Sequence, residues 1–286
     1  MQCTIAVPVS FEGPGLHTGG NHRVKIHPAP PGHGIIFRQT GNRGRQTDIP
    51  ADYKRVRALP LCTCLTGGGR SQVRTIEHLM AAFYACGVDN ALVEVTGKEI
   101  PIMDGSAAPF AKSLREVGLQ SQDERRKTIV IRKAVEVRDE YRFLRIEPAP
   151  RLQLRIQTSA KGFGSFVWRG PMNRAVFLRE IAAARTSGKL IHGMLAKIAT
   201  FAARDPLCQG AGLKSAIVIH GARVLNKGGL RYPDEFVRHR ILDMMGDLML
   251  GGAEIVGRIT GRSPVHRLNH RLLEAIFSDD EAWEAG

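Results

Sequence analysis

The sequence predicts an α+β fold made of two similar βα domains, because one pattern of strands, prolines and a helix occurs twice. VKIHPAP at 24–30 and LRIEPAP at 144–150 both read aliphatic, basic, Ile, polar, Pro-Ala-Pro. Each ends a strand-like alternation with prolines, which cannot continue a hydrogen-bonded ladder. We therefore expect a first domain over residues 1–124 and a second over 125–286, joined at the charged stretch SQDERRK, 121–127.

The elements of the first half follow in order along the chain. CTIAVPV from residue 3 and GIIFRQT from residue 34 have the β-branched, apolar composition of strands. RTIEHLMAAFYACGVDNALVEVTG at 74–97 predicts a helix, a Gly-containing stop and a strand that ends in Thr-Gly. APFAKSLREVG predicts a further helix after that strand.

The second half has the same order of elements. TIVIRKAVEV from residue 128 and LQLRIQTS from residue 152 predict strands. VRHRILDMMGDLMLGGAEIVGRITG at 237–261 predicts a helix, a Gly-Gly stop and a strand ending in Thr-Gly, and NHRLLEAIFSDDEAW predicts a last helix. If the two copies face each other across a pseudo-twofold axis, their corresponding helices converge at the cleft between them.

The charge of the chain is strongly positive. Lysine and arginine number 41 against 27 aspartate and glutamate, which gives a net charge of +14 and a pI near 10.1. Such an excess indicates an anionic partner, either nucleic acid, an anionic membrane surface or a phosphorylated substrate. Only 6% of the residues are aromatic and the basic residues form no dense run, so we do not expect nucleic-acid binding. A monomer is expected.

The N-terminus and the cysteines bear on the compartment. MQCTIAVPVSFEG has no basic start followed by an apolar run, and no stretch approaches the ~18 apolar residues that a membrane span needs. The five cysteines are an odd number in a chain too large to need disulfides. The sequence therefore predicts reduced thiols and a cytoplasmic protein. LCTC at 61–64 fits packed thiols better than a metal site.

One helix carries a row of polar residues in register. In EFVRHRILDMMGDL at 235–248, Glu235, His239, Asp243 and Asp247 recur every four residues and so stack along one side of a helix. One interpretation is the solvent-facing side of an amphipathic helix, with Glu235 an ordinary charge at its start. The other is a metal site. The segment by itself favours the first interpretation, because His-xxx-Asp pairs arise easily by chance.

The corresponding helix of the first half offers further donors. His78 would be a third ligand beside His239 and Asp243, and two imidazoles with one carboxylate leave one zinc position open for water. Zinc lowers the pKa of that water to about 7. Glu77 could then act as a general base. Its alternative role is a charge at a helix start that complements the helix dipole.

Three more histidines are candidates for a role near the cleft. His266 follows GRSP in the loop before the last helix and could reach the cleft as a cation or as an acid for a leaving amine. Asp247 could orient its imidazole. His270 lies within the amphipathic periodicity of the last helix and is interpreted as a surface or packing residue. His17, in the turn GPGLHTGG, is weak evidence, since the glycines most simply serve the turn.

The chain resembles the UDP-3-O-acyl-N-acetylglucosamine deacetylase family, the zinc amidases of lipid A synthesis. The resemblance runs from near residue 14 to near residue 283. It rests on four long motifs in the right order, TIEHLMAAFYACGVDNALVEV, EIPIMDGSAAPF, RVLNKGGLRYPDEFVRHRILDMMGDL and HRLNHRLLEA. It implies two βα domains of similar topology packed helix layer to helix layer, with the active site in the cleft between them.

Carried over position by position, the resemblance implies a Zn²⁺ cofactor. The implied zinc ligands are His78, His239 and Asp243. Glu77 would be the general base, His266 the electropositive group or acid, and Asp247 the partner of His266. Thr186 in ARTSG matches a threonine of the family that helps to hold the oxyanion. The residues expected to contact the substrate are Arg240, Lys189 and His17.

The departures from the family pattern concern the substrate. Ser187 and Lys189 stand in ARTSGKL where the family has the aromatic residues of ARTFGF. Arg240 replaces the lysine that follows the helical zinc histidine, which keeps the charge but changes the geometry of a phosphate contact. AKGFGSFVWRGPMN is shorter than the family's insertion at this point. The metal chemistry is therefore expected to be complete, while the acyl sugar is left open.

These observations favour a zinc-dependent deacetylase that acts on a UDP-linked acylated amino sugar, in transient contact with an anionic membrane surface. Two alternatives are kept. One is a diverged zinc deacetylase that acts on a different N-acetylated sugar. The other is a basic module that binds nucleic acid and retains a vestigial metal site, against which an intact ligand set argues.

Overall fold

The computed structural model describes residues 1–41, 44–203 and 205–286. Its first half contains these strands and helices: β1 (Cys3–Ile5), β2 (Val9–Pro14), β3 (Asn21–Pro28), β4 (Ile35–Thr40), β5 (Gln46–Pro50), β6 (Val56–Leu59), β7 (Cys62–Gly68), β8 (Ser71–Arg74), α1 (Glu77–Cys86), β9 (Ala91–Thr96), α2 (Ala108–Val117) and β10 (Leu119–Ser121). Burial alternates along β3 from Asn21 to Ile26, and Val24 and Ile26 are fully buried. This half-buried alternation is the pattern of a sheet with one face on a core.

The second half repeats the mixture of strands and helices. Its elements are β11 (Thr128–Ile131), β12 (Val135–Asp139), β13 (Arg142–Glu147), β14 (Gln153–Ala160), β15 (Gly164–Pro171), α3 (Arg174–Glu180), β16 (Ser187–Lys189), α4 (Leu190–Thr200), β17 (Ile217–His220), β18 (Arg223–Val224), α5 (Glu235–Leu248), β19 (Glu254–Val256), β20 (Arg258–Arg262), α6 (His266–Phe277) and β21 (Trp283–Ala285). The protein is therefore α+β, as the sequence predicts.

The two halves contain five-stranded sheets with the same strand order and directions. One sheet has the order β2-β3-β9-β4-β5 and the other β12-β13-β20-β14-β15. In each, the third and fourth strands of this order run parallel and the other neighbours antiparallel. Across the described residues, no sheet combines strands from both sides of the stretch 121–127. This agrees with two βα units, and a boundary between residues 124 and 125 remains our proposal.

Helices from the two halves pack on each other between the sheets. The main contact is between α1 and α5. Gly246 of α5 lies so close to the backbone of Glu77 that a Cβ atom there would collide with the Glu77 carbonyl. A side chain at this position would separate the helices, so glycine sets their distance. No helix of the described residues is long and apolar enough to cross a membrane.

The interpretation of α5 as an amphipathic helix with a solvent-facing polar side is wrong. His239, Asp243 and Asp247 are 7%, 5% and 0% exposed, and of the residues of α5 only Arg238 and Arg240 are not buried. A helix enclosed on both sides carries polar groups only where they have partners or a function. The polar row of α5 therefore faces the interior of the protein.

CTIAVPV and TIVIRKAVEV contain strands, as predicted, and each spans two of them, with a break before Val9 and before Val135. Two other predictions need correction. The chain after α6 ends in the short strand β21, which pairs with β11, where the sequence predicted helix through EAW. His266 is the first residue of α6 and does not lie in the preceding loop.

Candidate metal centre and active site

Three buried donors from both halves meet between α1 and α5. His78 lies on α1, and His239 and Asp243 lie one turn apart on α5. One ligand atom from each residue lies within 4.8 Å of the others. The Oδ1 atom of Asp243 is 3.5 Å from Nε2 of His78 and 3.3 Å from Nε2 of His239. These separations suit donors arranged around one small cation.

Hydrogen bonding around the three residues fits a metal. Nδ1 of His239 donates to the carbonyl oxygen of Ala184, 3.1 Å away, so Nε2 of this neutral ring has a free lone pair that can bind a metal. A carbonyl that fixes the tautomer of a ligating histidine is usual behind metal sites. The Oδ1 atom of Asp243 is buried and has no hydrogen-bond partner. A divalent cation would satisfy this buried carboxylate oxygen between two imidazoles.

The electrostatics of the three donors follow from burial and proximity. Burial lowers the pKa of His239 to about 4, so this imidazole is neutral at pH 7. Burial also disfavours charge on His78, but the neighbouring Asp243 raises its pKa above the ordinary value. The two histidines hold the pKa of Asp243 well below its usual range against the effect of burial. An ionised carboxylate and a neutral imidazole are the forms that bind metal.

Glu77 precedes His78 and is 2% exposed. Burial raises its pKa to about 7, although His266 and His78 oppose this rise. Its Oε2 atom accepts a hydrogen bond of 3.1 Å from the backbone N–H of Thr63, and its Oε1 atom lies 3.8 Å from Nε2 of His266. A carboxyl group whose pKa is near neutrality can both accept and release a proton at physiological pH.

His266 and Asp247 form a buried pair beside Glu77. Nδ1 of His266 donates to Oδ2 of Asp247 at 2.8 Å. Burial opposes the charge on this imidazole, but the carboxylates of Asp247 and Glu77 outweigh it and raise the pKa of His266 to about 10. His266 is therefore a cation at neutral pH, and its Nε2–H points toward Glu77.

Sequence reasoning missed three residues of this network. Asn269 donates to Asp247 Oδ2 at 2.7 Å, and the hydroxyl of Thr63 donates to Oδ1 of the same carboxylate. Nε2 of His270 lies 3.1 Å from the Thr63 hydroxyl, and this side chain is buried rather than at the surface. The only sequence signal was the i, i+3 and i+4 spacing of His266, Asn269 and His270, which puts them on one side of α6.

Thr186, the residue expected to hold the oxyanion, lies close to Ala184, which orients His239. Thr186 is half-buried, its backbone N–H donates to the Gly105 carbonyl, and its carbonyl accepts from Ile217. It lies two residues beyond Ala184, the hydrogen-bond partner of His239. Among the residues expected to contact substrate, Arg240 and Lys189 are also half-buried.

His17 lies in a buried polar cluster of its own. It is 1% exposed, its backbone N–H donates to Oε1 of Glu99 at 2.8 Å, and its Nδ1 faces the backbone N–H of Cys208 at 3.4 Å. Glu99 also accepts from Thr18 and Thr75. These contacts tie the turn to strands and loops of both halves, and a substrate contact for His17 stays a prediction.

Glu235 forms a buried ion pair beside the metal donors. Glu235 is fully buried and holds the side chain and backbone N–H of Arg185, so it is not an ordinary surface charge. Arg185 connects Ala184 and Thr186, so this ion pair fixes the segment behind the metal donors.

Cys62 and Cys64 are buried free thiols, and burial raises the pKa of both, that of Cys64 to about 12. They are inert packing residues of β7.

A comparison with protein families gives one match that covers nearly the whole chain. The family model is described as LpxC: UDP-3-O-acyl N-acetylglycosamine deacetylase, and it matches residues 2–278 of 286. The matched range includes α1 and α5 and all of α6 with its polar network. It also includes α4 and the segment that follows it.

Proposed function

Because this chain belongs to the UDP-3-O-acyl N-acetylglycosamine deacetylase family, we propose that it is a zinc-dependent hydrolase that removes the N-acetyl group of UDP-3-O-acyl-N-acetylglucosamine in lipid A biosynthesis. The observation that carries this proposal is the meeting of His78 with His239 and Asp243, with Glu77 directly beside them. These donors come from distant parts of the sequence, and the fit of their hydrogen bonds to a cation is independent of the family match.

The proposed zinc ligands are Nε2 of His239, a carboxylate oxygen of Asp243 and an imidazole nitrogen of His78. Zinc held by such a set supplies a Lewis acid and a water of lowered pKa. The protein residues keep the set in place. The Ala184 carbonyl orients His239, and Gly246 allows α1 and α5 to approach closely enough for the three donors to converge.

We propose Glu77 as the general base. Its pKa of about 7 leaves a sizeable carboxylate fraction at neutral pH, and the Thr63 N–H fixes one of its oxygens. The other oxygen can take the proton of the attacking water. Removal of that proton makes the oxygen of water nucleophilic toward the acetamide carbonyl carbon.

We propose His266 as the cationic group that faces the reacting amide. Its Nδ1–H is committed to Asp247, so the Nε2–H remains for the substrate. This donor can stabilise the developing oxyanion or protonate the leaving amine nitrogen. Asp247 acts through His266, because it keeps the imidazole charged and in one orientation.

The remaining assignments concern the substrate. We propose that the Thr186 hydroxyl donates to the oxyanion, since the backbone on either side of it is fixed by hydrogen bonds. Arg240 and Lys189 are proposed to contact the diphosphate, for which a positively charged chain is suited. His17 is kept as a third proposed contact.

The test is a deacetylation assay on UDP-linked 3-O-acyl-N-acetylglucosamine, before and after removal of metal by a chelator and after zinc is restored. We expect activity to disappear with the chelator and to return with zinc. UDP-N-acetylglucosamine and free N-acetylglucosamine serve as comparison substrates. A higher kcat/KM on either would support the diverged deacetylase instead. Salt-sensitive RNA binding that survives His239→Ala, without deacetylation, would support the nucleic-acid alternative.

A further inference from the structure

Helix α4 presents its large apolar side chains to the outside of the protein. The residues of this group, each 53 to 79% exposed, are Ile191, Met194, Leu195, Ile198 and Phe201, the last directly after the helix. We call this group the α4 apolar face. At 100° per residue, the five positions fall within an arc of about 120°. No residue of α4 is fully buried.

The inner side of α4 consists of small residues and of residues held by hydrogen bonds. Gly193, Ala196 and Thr200 are half-buried and lie opposite the α4 apolar face. Thr200 Oγ1 accepts from the backbone N–H of Leu207, and Lys197 Nζ donates to the carbonyl oxygen of Ala211. The helix is therefore held by its small and polar side. Its orientation is inverted relative to an ordinary surface helix, which turns its apolar side inward.

The chain that carries the α4 apolar face is positively charged. The sequence from 187 to 204 contains no Asp or Glu. Asp205 follows, and its carboxylate is paired with Arg57. Leu213 is 57% exposed and Lys214 is exposed beside it, just beyond the Ala211 carbonyl that holds Lys197. Along the described part of this stretch, the charged side chains near the α4 apolar face in sequence are therefore Lys189, Lys197 and Lys214, and the next carboxylate along the chain, Asp205, is already paired.

We propose that α4 docks this protein on an anionic lipid surface, with the α4 apolar face inserted among the lipids and Lys214 at the level of the headgroups. Charge complementarity selects this occupant. A second copy of a chain of charge +14 would bring like charges together at the same surface. Anionic headgroups attract basic residues, and an amphipathic helix with one apolar side lies in the plane of the interface.

The size of α4 fits a reversible contact. Its 11 residues rise about 16 Å, roughly half the thickness of the hydrocarbon core, so the helix lies on the membrane and does not span it. Leu213 extends the inserted surface by one more side chain. We expect binding that depends on both apolar insertion and charge, and that weakens as salt screens the charge.

The proposal is tested with the full-length chain and lipid vesicles, without any activity measurement. Vesicles of equimolar phosphatidylglycerol and phosphatidylethanolamine are compared with phosphatidylcholine vesicles in flotation experiments at low and high salt. Wild type is expected to float with the anionic vesicles at low salt. Ile198→Glu/Phe201→Glu is expected to reduce the vesicle partition coefficient at least about tenfold. Tyr141→Glu, at a position 58% exposed outside α4, is the matched control and should float like wild type.

Further variants separate the possible outcomes. Lys214→Glu should weaken anionic binding at low salt and leave the thermal unfolding midpoint unchanged, since its side chain is exposed. Wild type that stays in solution with anionic vesicles would overturn the proposal, as would undiminished flotation of the double variant. A double variant that floats like wild type but has a changed sedimentation coefficient would assign the α4 apolar face to contact between copies. That result would also overturn the proposal.

Discussion

Gly246 of α5 touches the backbone of Glu77 of α1, at the point where the candidate base and the donors of both halves meet. The contact joins residues 169 positions apart in the sequence and sets the distance between the two helices. Glu77 and His78 follow each other on α1, and Asp243 and Asp247 flank Gly246 on α5. A change in this distance therefore changes the metal donors and the polar network together.

Gly246→Ala should destabilise the protein. The added Cβ collides with the Glu77 carbonyl, and overpacking of this kind costs about 1–3 kcal/mol in the free energy of unfolding. We also expect weaker zinc binding, because the helices that carry the donors separate. Gly193→Ala in α4 is the matched control, since its Cβ meets nothing within 4 Å and should stabilise the helix by about 0.5–1 kcal/mol. Equal stability of the two variants in urea would contradict this account.

His239→Ala and Asp243→Ala should each abolish stoichiometric zinc while leaving the protein folded. Each variant removes one of the three donors that lie within 4.8 Å of one another. The measurement is zinc content by atomic absorption after dialysis, with circular dichroism as the check on folding. His220→Ala changes an exposed histidine of β17 and should retain wild-type zinc. Full zinc content in His239→Ala would show that the metal lies elsewhere.

Glu77→Gln should lower kcat of deacetylation by about 10²- to 10⁴-fold while zinc content stays at the wild-type value. The amide keeps the shape of the side chain and can remain near the Thr63 N–H, but it cannot take a proton from water. KM should change much less than kcat. A variant that loses zinc together with activity would instead assign Glu77 a structural role at the metal site.

The pH dependence should follow the protonation of His266. Asp247 and Glu77 raise the pKa of this imidazole to about 10, so the cationic form is present at neutral pH and is lost as the pH rises through that value. Deacetylation should fall over the same range. The contribution of this imidazole to the free energy of unfolding has the same sign, and it decreases from pH 6.5, where an unfolded histidine titrates, toward pH 10.

Asp247→Asn tests this assignment. The substitution removes the largest of the carboxylate contributions that raise the pKa of His266, so the alkaline decrease in kcat/KM should move to lower pH. Measurement of kcat/KM from pH 6 upward in wild type and variant decides the matter. An alkaline decrease at the same pH in both proteins would mean that His266 is not the group that titrates.

Thr63 should position the network without contact with the substrate. Thr63→Val removes the hydroxyl that donates to Asp247 but retains the backbone N–H that holds Glu77. A buried carboxylate oxygen that loses its donor costs about 1–3 kcal/mol of stability. We also expect the alkaline decrease in activity to shift, because Asp247 is then held less firmly against His266. Thr63→Ser should restore both properties, and an unchanged pH profile in Thr63→Val would argue for packing alone.

The sequence by itself determined the elements and the chemical types at the site. Alternation with period 2 and helical periodicity fix which residues share a face of a strand or helix, and Gly and Pro mark where these elements end. The repeat of VKIHPAP and LRIEPAP predicted two similar βα domains, and the two five-stranded sheets have equal strand order. Spacing of four placed His239 and Asp243 together on α5, and the repeat pointed to Glu77 and His78 on the corresponding helix, as the family resemblance also implied.

Only the tertiary structure decided what lies opposite each face. Periodicity could not tell that α5 is enclosed, that Glu235 holds Arg185, or that Thr63, Asn269 and His270 join Asp247. Nor could it tell that α4 turns its apolar side outward. The physical reason is that burial and pairing depend on contacts between residues far apart in the chain. A local pattern shows which residues share one face of a helix or strand. Only the packing of elements on each other, such as α1 on α5, shows what lies against that face.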